Sequence, residues 1–306
     1  MNLTRHPKAN LTDQNFGAPA VISDAEAKPN TIRKILFPVD FSLSCVGMAA
    51  YVRQAAEIFS AEVALMYVCD LESHNGFELY VRTPNEIAQE HWELGRGKVD
   101  SFLSAQFPKG RCPRILLAGN VSTLIVATAK EYRADLIIMP THAGQFRRML
   151  LGSTTAKVLD DADCPVLTAQ HAATIAPRPV EHKTWLCGIE LTADSERVLR
   201  LANNAALQAG AKLSLIHVIP DSGLGTMTAD AQLALQWISE LQKRVRSDAR
   251  VVILHGAIKE QLLKATKESC ADVLVIGRKL HSATFGRLRD LSYSLVRDSP
   301  CPVVSV

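Results

Sequence analysis

The clearest chemical signal lies in residues 136–168, which read LIIMPTHAGQFRRMLLGSTTAKVLDDADCPVLT. An apolar run at Leu136–Met139 predicts a buried strand, and a polar, basic loop follows it. Gly152, Ser153 and Thr154 then supply the small and hydroxyl residues typical of a helix start. Because the first backbone N–H groups of a helix have no partner within the helix, this junction predicts a phosphate site. The alternative is an ordinary helix start.

A second group of candidate residues is predicted at the same edge of the sheet. Asp40 ends the first apolar strand, Val68 ends the second, and Gly119 follows the third. Ligands of open α/β sheets bind at the carboxyl ends of the strands, so we place these residues beside the helix start. Asp40 has an alternative role as a cap of the following helix. His142 either contacts a ligand or is incidental, and acid–base chemistry is a minor alternative.

A catalytic constellation is missing from the sequence. The chain contains no G-x-x-x-x-G-K-[ST], no H-E-x-x-H, no G-x-S-x-G and no G-x-G-x-x-G. The histidines and carboxylates of residues 72–93 lack a regular ligand spacing, which argues against a metal site. We therefore predict a protein that is not an enzyme and has no metal ligands.

The elements that must position these residues occur twice. Equivalent residues are 150 apart before a long connection and 137 apart after it: Asp40/Glu190, Val68/Val218, Gly119/Gly256, Asp135/Asp272 and Cys164/Cys301. In each copy, apolar strands alternate with segments of helical periodicity. This pattern predicts an α/β protein with two tandem doubly wound, Rossmann-like domains, each with a mainly parallel five-stranded sheet.

Composition and the placement of proline and glycine residues set the predicted domain limits. Residues 1–30 are polar and broken by proline and glycine, which predicts a disordered tail. The first domain is expected at 31–170 and the second at 183–306, with a linker at 171–182. The net charge of +3 gives no argument for a nucleic-acid partner.

The predicted location is the cytoplasm. No apolar run approaches the ~18 residues of a membrane span, so no membrane partner is expected. Seven cysteines form no C-x-x-C pair, and no secretory signal opens the chain. Reduced thiols in a cytoplasmic protein are the favoured interpretation.

These motifs resemble the universal stress protein family in its tandem two-domain form. The motifs are ILFPVDFS (35–42), ADLIIMPTH (134–142), LLGSTTAKVL (150–159), GIELTADSERVL (188–199) and ADVLVIGRK (271–279). The resemblance covers nearly all of residues 32–306. It implies a stress-response role and pairing of the last strands, Pro165–Ala169 with Pro302–Val306, across a pseudo-twofold axis. Some members of the family bind ATP.

The resemblance also implies a nucleotide loop, from which this chain departs. ATP-binding members share a motif in which G-x-x-G is followed, after nine residues, by G-[ST]. Here the pattern falls on residues 140–143, which read PTHA, then eight residues and Gly152-Ser153. Two glycines are missing, and Pro140 has no N–H to donate to a phosphate. ATP or AMP remains the cofactor expected for the first domain, with Asp40 and Val68 at the adenine edge; AMP needs fewer of the missing amides.

The second copy departs further. It keeps Gly277 but carries Arg289-Asp290 where the pattern has Gly-Ser. A carboxylate about 4 Å from a phosphate charge costs on the order of 4 kcal/mol at an effective dielectric near 20. The dipole at a helix N-terminus stabilises an anion by only about 0.3–2 kcal/mol. No cofactor is expected in the second domain.

Two functions remain open from the sequence. The first is regulatory binding of an unknown protein partner through residues 70–97, a long connection with three aromatic residues. The second is an adenine-nucleotide sensor in the first domain, with weak ATP hydrolysis as a further alternative. We expect an internal pseudo-dimer, with a homodimer as a further option.

Overall fold

The structure is a computed structural model that describes residues 32–70, 84–141, 151–170, 182–220, 227–278 and 287–306. Side chains are described for all of these except residues 84–91, 227–228 and 287–290. The predicted N-terminal tail, nearly all of the predicted linker and His142 lie outside the described residues.

Strands and helices alternate along the described chain. The strands are β1 (Lys34–Pro38), β2 (Glu62–Cys69), β3 (Arg114–Ala118), β4 (Leu136–Pro140), β5 (Val166–Ala169), β6 (Thr184–Gly188), β7 (Lys212–Ile219), β8 (Arg250–His255), β9 (Val273–Ile276) and β10 (Val303–Ser305). The helices are α1 (Leu43–Phe59), α2 (Pro84–Ser101), α3 (Val121–Tyr132), α4 (Ser153–Asp161), α5 (Ser195–Gln208), α6 (Met227–Val245), α7 (Ile258–Glu268) and α8 (Arg287–Asp298).

One sheet of ten strands runs through both copies, in the order β3-β2-β1-β4-β5-β10-β9-β6-β7-β8. Every neighbouring pair within a half is parallel, whereas β5 and β10 pair antiparallel, with Leu167 opposite Val304. The predicted Rossmann-like α/β fold is confirmed. The two predicted five-stranded sheets are the halves of one continuous sheet, joined by the last strands as the resemblance implies.

The strands form because their side chains are buried on both faces. Residues of β1 alternate between two apolar cores, with Ile35 and Phe37 facing the core that contains α1 and α5. Leu36 faces the core that contains α3, α4 and α7. A parallel sheet covered on both faces reads as a continuous apolar run, which is why the strands were visible in the sequence.

The repeated aspartates fasten the start of each half. The Asp135 carboxylate accepts the backbone N–H groups of Arg33 and Lys34 at 2.9 and 3.0 Å. Asp272 accepts those of Lys183 and Thr184 in the same way, at 2.6 and 2.8 Å. The two aspartates, which are 137 residues apart, therefore have the same structural role: each accepts hydrogen bonds from the backbone at the amino end of β1 or β6.

Candidate functional site

A cavity of about 370 Å³ lies at the carboxyl ends of β1 and β4 in the first half. The strand order reverses between these two strands, which makes this point the topological switch point where α/β sheets bind ligands. Ligand cavities are typically about 300–1,000 Å³, so the volume suits a small organic molecule. The lining residues come from β1, α1, α3, β4 and the start of α4: Pro38, Val39, Asp40, Cys45, Val121, Ile125, Met139, Pro140, Leu151, Gly152, Ser153, Thr154 and Thr155.

The floor of this cavity is the N-terminus of α4. Gly152 occupies the N-cap position and supplies no side-chain cap, and the first turn contains no acidic residue. Ser42 and Asn120 cap α1 and α3 with their side chains, at Cys45 N–H and Thr123 N–H respectively. The first backbone amides of α4 are thus uncapped by any described side chain and are available to an anion.

Two hydrogen bonds fasten this N-terminus to the end of β4. The buried Thr155 hydroxyl donates to the carbonyl oxygen of Pro140 at 3.1 Å. The Gly152 N–H donates to the carbonyl oxygen of Thr141 at 3.0 Å. Pro140 thereby contributes its carbonyl to the site although it has no N–H to offer a ligand. The predicted residues Gly152, Ser153 and Thr154 all line the cavity.

Asp40 lines the cavity at the end of β1 and is exposed. Its Oδ1 atom accepts the backbone N–H of Ser42 at 2.9 Å and the thiol of Cys45 at 3.0 Å. Ser42, rather than Asp40, is the N-cap of α1. Through this one oxygen, Asp40 stabilises the turn into α1.

A strained residue, Phe41, directly follows Asp40 in the chain. Phe41 has a φ of 63°, a left-handed conformation that costs a non-glycine residue roughly 1–2 kcal/mol. Its ring packs against Tyr67 and Phe102, with ring centroids 4.4 and 5.2 Å away. Strained backbone is found preferentially at functional sites, where the surroundings enforce it. Nothing in the sequence indicated Phe41, because a bulky residue is not expected at positive φ.

Cys45 adds shape to the cavity rather than reactivity. Burial, and after it the Asp40 charge, raises the pKa of the Cys45 thiol far above its ordinary value. The thiol is fully buried and donates to Asp40. This geometry favours the interpretation of Cys45 as a small buried residue over a reactive thiolate.

Val68 and Gly119 lie at the same edge of the sheet but outside the cavity lining. Val68 is buried in the core beneath α3. Gly119 turns the chain from β3 into α3 at a φ of +140°, and its N–H donates to the Cys69 carbonyl oxygen at 3.0 Å. Met139, Leu151 and Thr155, which were not among the predicted site residues, line the cavity instead.

The equivalent cavity of the second half is nearly filled. Its volume is about 50 Å³. Leu291, which packs in this lining, stands 137 residues after Thr154, so an apolar side chain replaces a hydroxyl. Glu190 stands where the first half has Asp40, and burial, with a smaller contribution from Asp194, raises the pKa of its carboxyl to about 7.

A larger cavity, of about 420 Å³, lies at the opposite end of the first-half strands, near the amino ends of β1, β4 and β5. It is lined by Asp135, by the last turn of α3 with Lys130 and Arg133, and by Arg197 of the second half. These cations face the carbonyl end of α3, where the helix dipole disfavours anions. The 420 Å³ cavity therefore lacks the uncapped helix amides that distinguish the 370 Å³ cavity.

The described part of the chain contains neither a metal-ligand cluster nor a helix suited to cross a membrane. Its histidines, cysteines and carboxylates contain no group of three that would hold a metal ion. None of the described helices is both long and apolar enough to cross a membrane. No disulfide joins the seven cysteines, all of which lie in described segments.

Comparison with known proteins decides the family. The model of the universal stress protein family matches residues 31–170 and again residues 181–306. The chain belongs to the universal stress protein family. Universal stress protein MJ0531 of Methanocaldococcus jannaschii is 30% identical over 148 residues, which cover 46% of this chain and 84% of that protein. This relative therefore matches about half of the tandem chain.

Solved structures show the fold of this universal stress protein. That of a universal stress protein from Archaeoglobus fulgidus covers 91% of this chain and 98% of its own, with a TM-score of 0.64 and 22% identity. Another universal stress protein, solved in complex with cAMP, covers 41% of this chain and 97% of its own. Its TM-score is 0.35 and its sequence identity is 23%.

Proposed function

We propose that this universal stress protein is a non-catalytic regulator that binds an adenine nucleotide in its first half and acts through a protein partner. The observation that carries this proposal is the 370 Å³ cavity floored by the uncapped N-terminus of α4. The backbone amides and side-chain hydroxyls of Ser153 and Thr154 are suited to bind a phosphate. The exposed carboxylate of Asp40, which lines the same cavity, is suited to accept a hydrogen bond from the exocyclic amine of adenine.

AMP fits these donors better than ATP. A single phosphate uses the first-turn amides of α4, whereas a longer phosphate chain needs further donors along the loop that follows β4. Pro140 has no N–H at the start of that loop. ATP binding with weak hydrolysis is the alternative function, and a general base for it has not been identified among the described lining residues.

We place the nucleotide in the first half alone. The second-half cavity, of about 50 Å³, is below the size of ordinary ligand sites. Asp290, the fourth residue of α8, stands where the first half has Ser153. Its charge opposes a phosphate by more than the helix terminus attracts one.

The partner surface proposed here includes helix α2. Trp92 is 36% exposed and Leu94 is 54% exposed, and the Arg96 guanidinium lies 5.8 Å from the Trp92 ring centroid. Exposed aromatic and arginine side chains are enriched in protein interfaces. Residues 71–83, the rest of the connection, lie outside the described residues.

Domain limits and location complete the proposal. We assign the domains to 31–170 and 183–306, on the repeat spacing in the sequence. A cytoplasmic location is proposed because the seven cysteines, none of them in a disulfide, suit a reducing compartment. No nucleic-acid partner is proposed at a net charge of +3.

Calorimetric titration with AMP, ADP and ATP in the presence of magnesium tests the nucleotide site. Gly152 has φ −63° and ψ 141°, so aspartate fits its backbone and caps α4 itself. Gly152→Asp is therefore expected to fold normally but to bind AMP on the order of 100-fold more weakly, because of charge repulsion. Gly110→Asp is the matched control, since a side chain at Gly110 meets open space. Absence of saturable binding to the wild type at millimolar nucleotide would refute the nucleotide site.

A further inference from the structure

Arg278 is a buried cation that crosses from the second half of the chain to the first. It follows β9, and its backbone N–H donates to the Val306 carbonyl oxygen at 2.9 Å. Its Nη1 atom donates to the Leu159 carbonyl oxygen at 3.1 Å, and its Nη2 atom donates to that of Cys164 at 2.7 Å. Burial lowers the pKa of the guanidinium to about 10, so it stays charged at pH 7.

The charge of Arg278 is held by a helix end instead of a carboxylate. Removing a cation from water is costly unless hydrogen bonds or opposite charge compensate it. The guanidinium donates to two carbonyl oxygens, and Asp163 and Asp160 lie close enough to favour its charge. Leu159 is in the last turn of α4, where carbonyls lack partners within the helix and the dipole is negative. Arg278 therefore satisfies the C-terminus of α4.

The other end of α4 is the floor of the candidate site. The helix has nine residues and a length of about 13 Å, short enough to move as one body. Hydrogen bonds from Thr155 and Gly152 hold its N-terminus, and Arg278 holds its C-terminus. The Tyr293 hydroxyl, also from the second half, donates to the carbonyl oxygen of Ala156 at 3.2 Å. Two side chains of the second half thus act on the helix that carries the proposed phosphate seat.

We propose that Arg278 is a positioning residue through which the second half sets the phosphate affinity of the first. This inference rests on the proposed nucleotide site. Arg278 stands directly after Gly277, in the stretch that corresponds to the altered nucleotide loop of the first half. Thr141 occupies the equivalent position 137 residues earlier and has no guanidinium to make a reciprocal contact. The coupling thus runs through α4, and nucleotide binding must in return strengthen the Arg278 contact.

The first test compares two ligands in the full-length protein. AMP places a phosphate on α4, whereas adenosine has the same base and ribose without one. Arg278→Met is expected to weaken AMP binding about 3- to 10-fold, within the usual range for coupling residues, and to leave adenosine affinity within 2-fold. Arg297→Met, which removes an exposed guanidinium paired with Asp298, should change neither affinity. Equal losses for AMP and adenosine, or no loss for AMP, would overturn the proposal.

The second test needs no nucleotide. Amide hydrogen exchange of residues 153–165 should become about 10-fold faster in Arg278→Met, slightly faster in Arg278→Lys, and unchanged in Arg297→Met. Arg278→Lys keeps the charge but loses the forked donor, and it serves as the main variant if Arg278→Met does not fold. If the wild type binds no nucleotide, the proposed function fails, and exchange alone decides whether Arg278 holds α4. Unchanged exchange in both Arg278 variants would refute that role.

Discussion

Replacement of Glu190 by glutamine should stabilise the protein at neutral and alkaline pH. The Glu190 carboxyl has a pKa of about 7, raised first by burial and then by the Asp194 charge. An unfolded chain ionises this carboxyl near its ordinary pKa of 4.5. Between these values the unfolded chain releases a proton that the folded chain retains. Wild-type stability therefore falls as the pH rises through this window and becomes constant above it.

The size of this effect follows from the two pKa values. A pKa difference from 4.5 to about 7 corresponds to at most about 3 kcal/mol, at 1.36 kcal/mol for each tenfold change in proton affinity. Part of the carboxylate faces solvent, which screens its charge, so about 1–2 kcal/mol is the expected value. Glutamine keeps the shape of the protonated acid and has no charge to desolvate.

Urea unfolding of wild type and Glu190→Gln at pH 5 and pH 8 measures this difference. The two proteins should have similar midpoints at pH 5, and the variant should be the more stable one at pH 8. Glu268→Gln, which alters an exposed carboxylate 3.9 Å from Lys264, should change stability by less than about 0.5 kcal/mol at both pH values. A Glu190→Gln effect that is the same at both pH values would refute the assignment of a raised pKa.

Three other outcomes follow from the structure. Gly119→Ala should lower the stability by about 1–2 kcal/mol in thermal unfolding, because φ of +140° strains an alanine; an unchanged melting temperature would contradict this. Thr155→Val should cost about 1–3 kcal/mol in urea unfolding, because the buried Pro140 carbonyl oxygen loses its donor, and a neutral result would show that this bond is dispensable. Native protein at pH 8 should show one thiol per chain that reacts rapidly with a disulfide reagent, since Cys270 is the exposed cysteine; persistence of the fast phase in Cys270→Ser would contradict that assignment.

The sequence was informative about the fold because local burial leaves a local pattern. The strand predicted at Leu136–Met139 matches β4, Leu136–Pro140, to within one residue, since an uninterrupted apolar run has little freedom in its limits. The predicted pairing of the last strands is confirmed by the antiparallel register of Leu167 and Val304. The sequence did not predict that this pairing makes one continuous sheet, because periodicity does not report which strand edges meet.

The candidate site was less accessible to prediction. Gly152, Ser153 and Thr154 were identified because a helix start has a recognisable composition. Phe41 was missed because a bulky residue is not expected at positive φ, and because its ring contact with Tyr67 is distant in sequence. The sequence did not identify the role of Arg278, since its acceptors are carbonyl oxygens 114 and 119 residues away. Contacts from a side chain to a distant backbone leave no spacing that a sequence reader can detect.

Amide NMR spectroscopy of the protein during a titration with AMP tests the central claim most directly. The backbone amides of Ser153, Thr154 and Thr155 should shift in a saturable manner, because they form the proposed phosphate seat. The equivalent amides of residues 290–292, which lie within α8, should not shift. Saturable shifts confined to residues 153–155 and Asp40 would support the proposed nucleotide site. Shifts at α8 instead, or no shift at α4 with AMP bound, would contradict it.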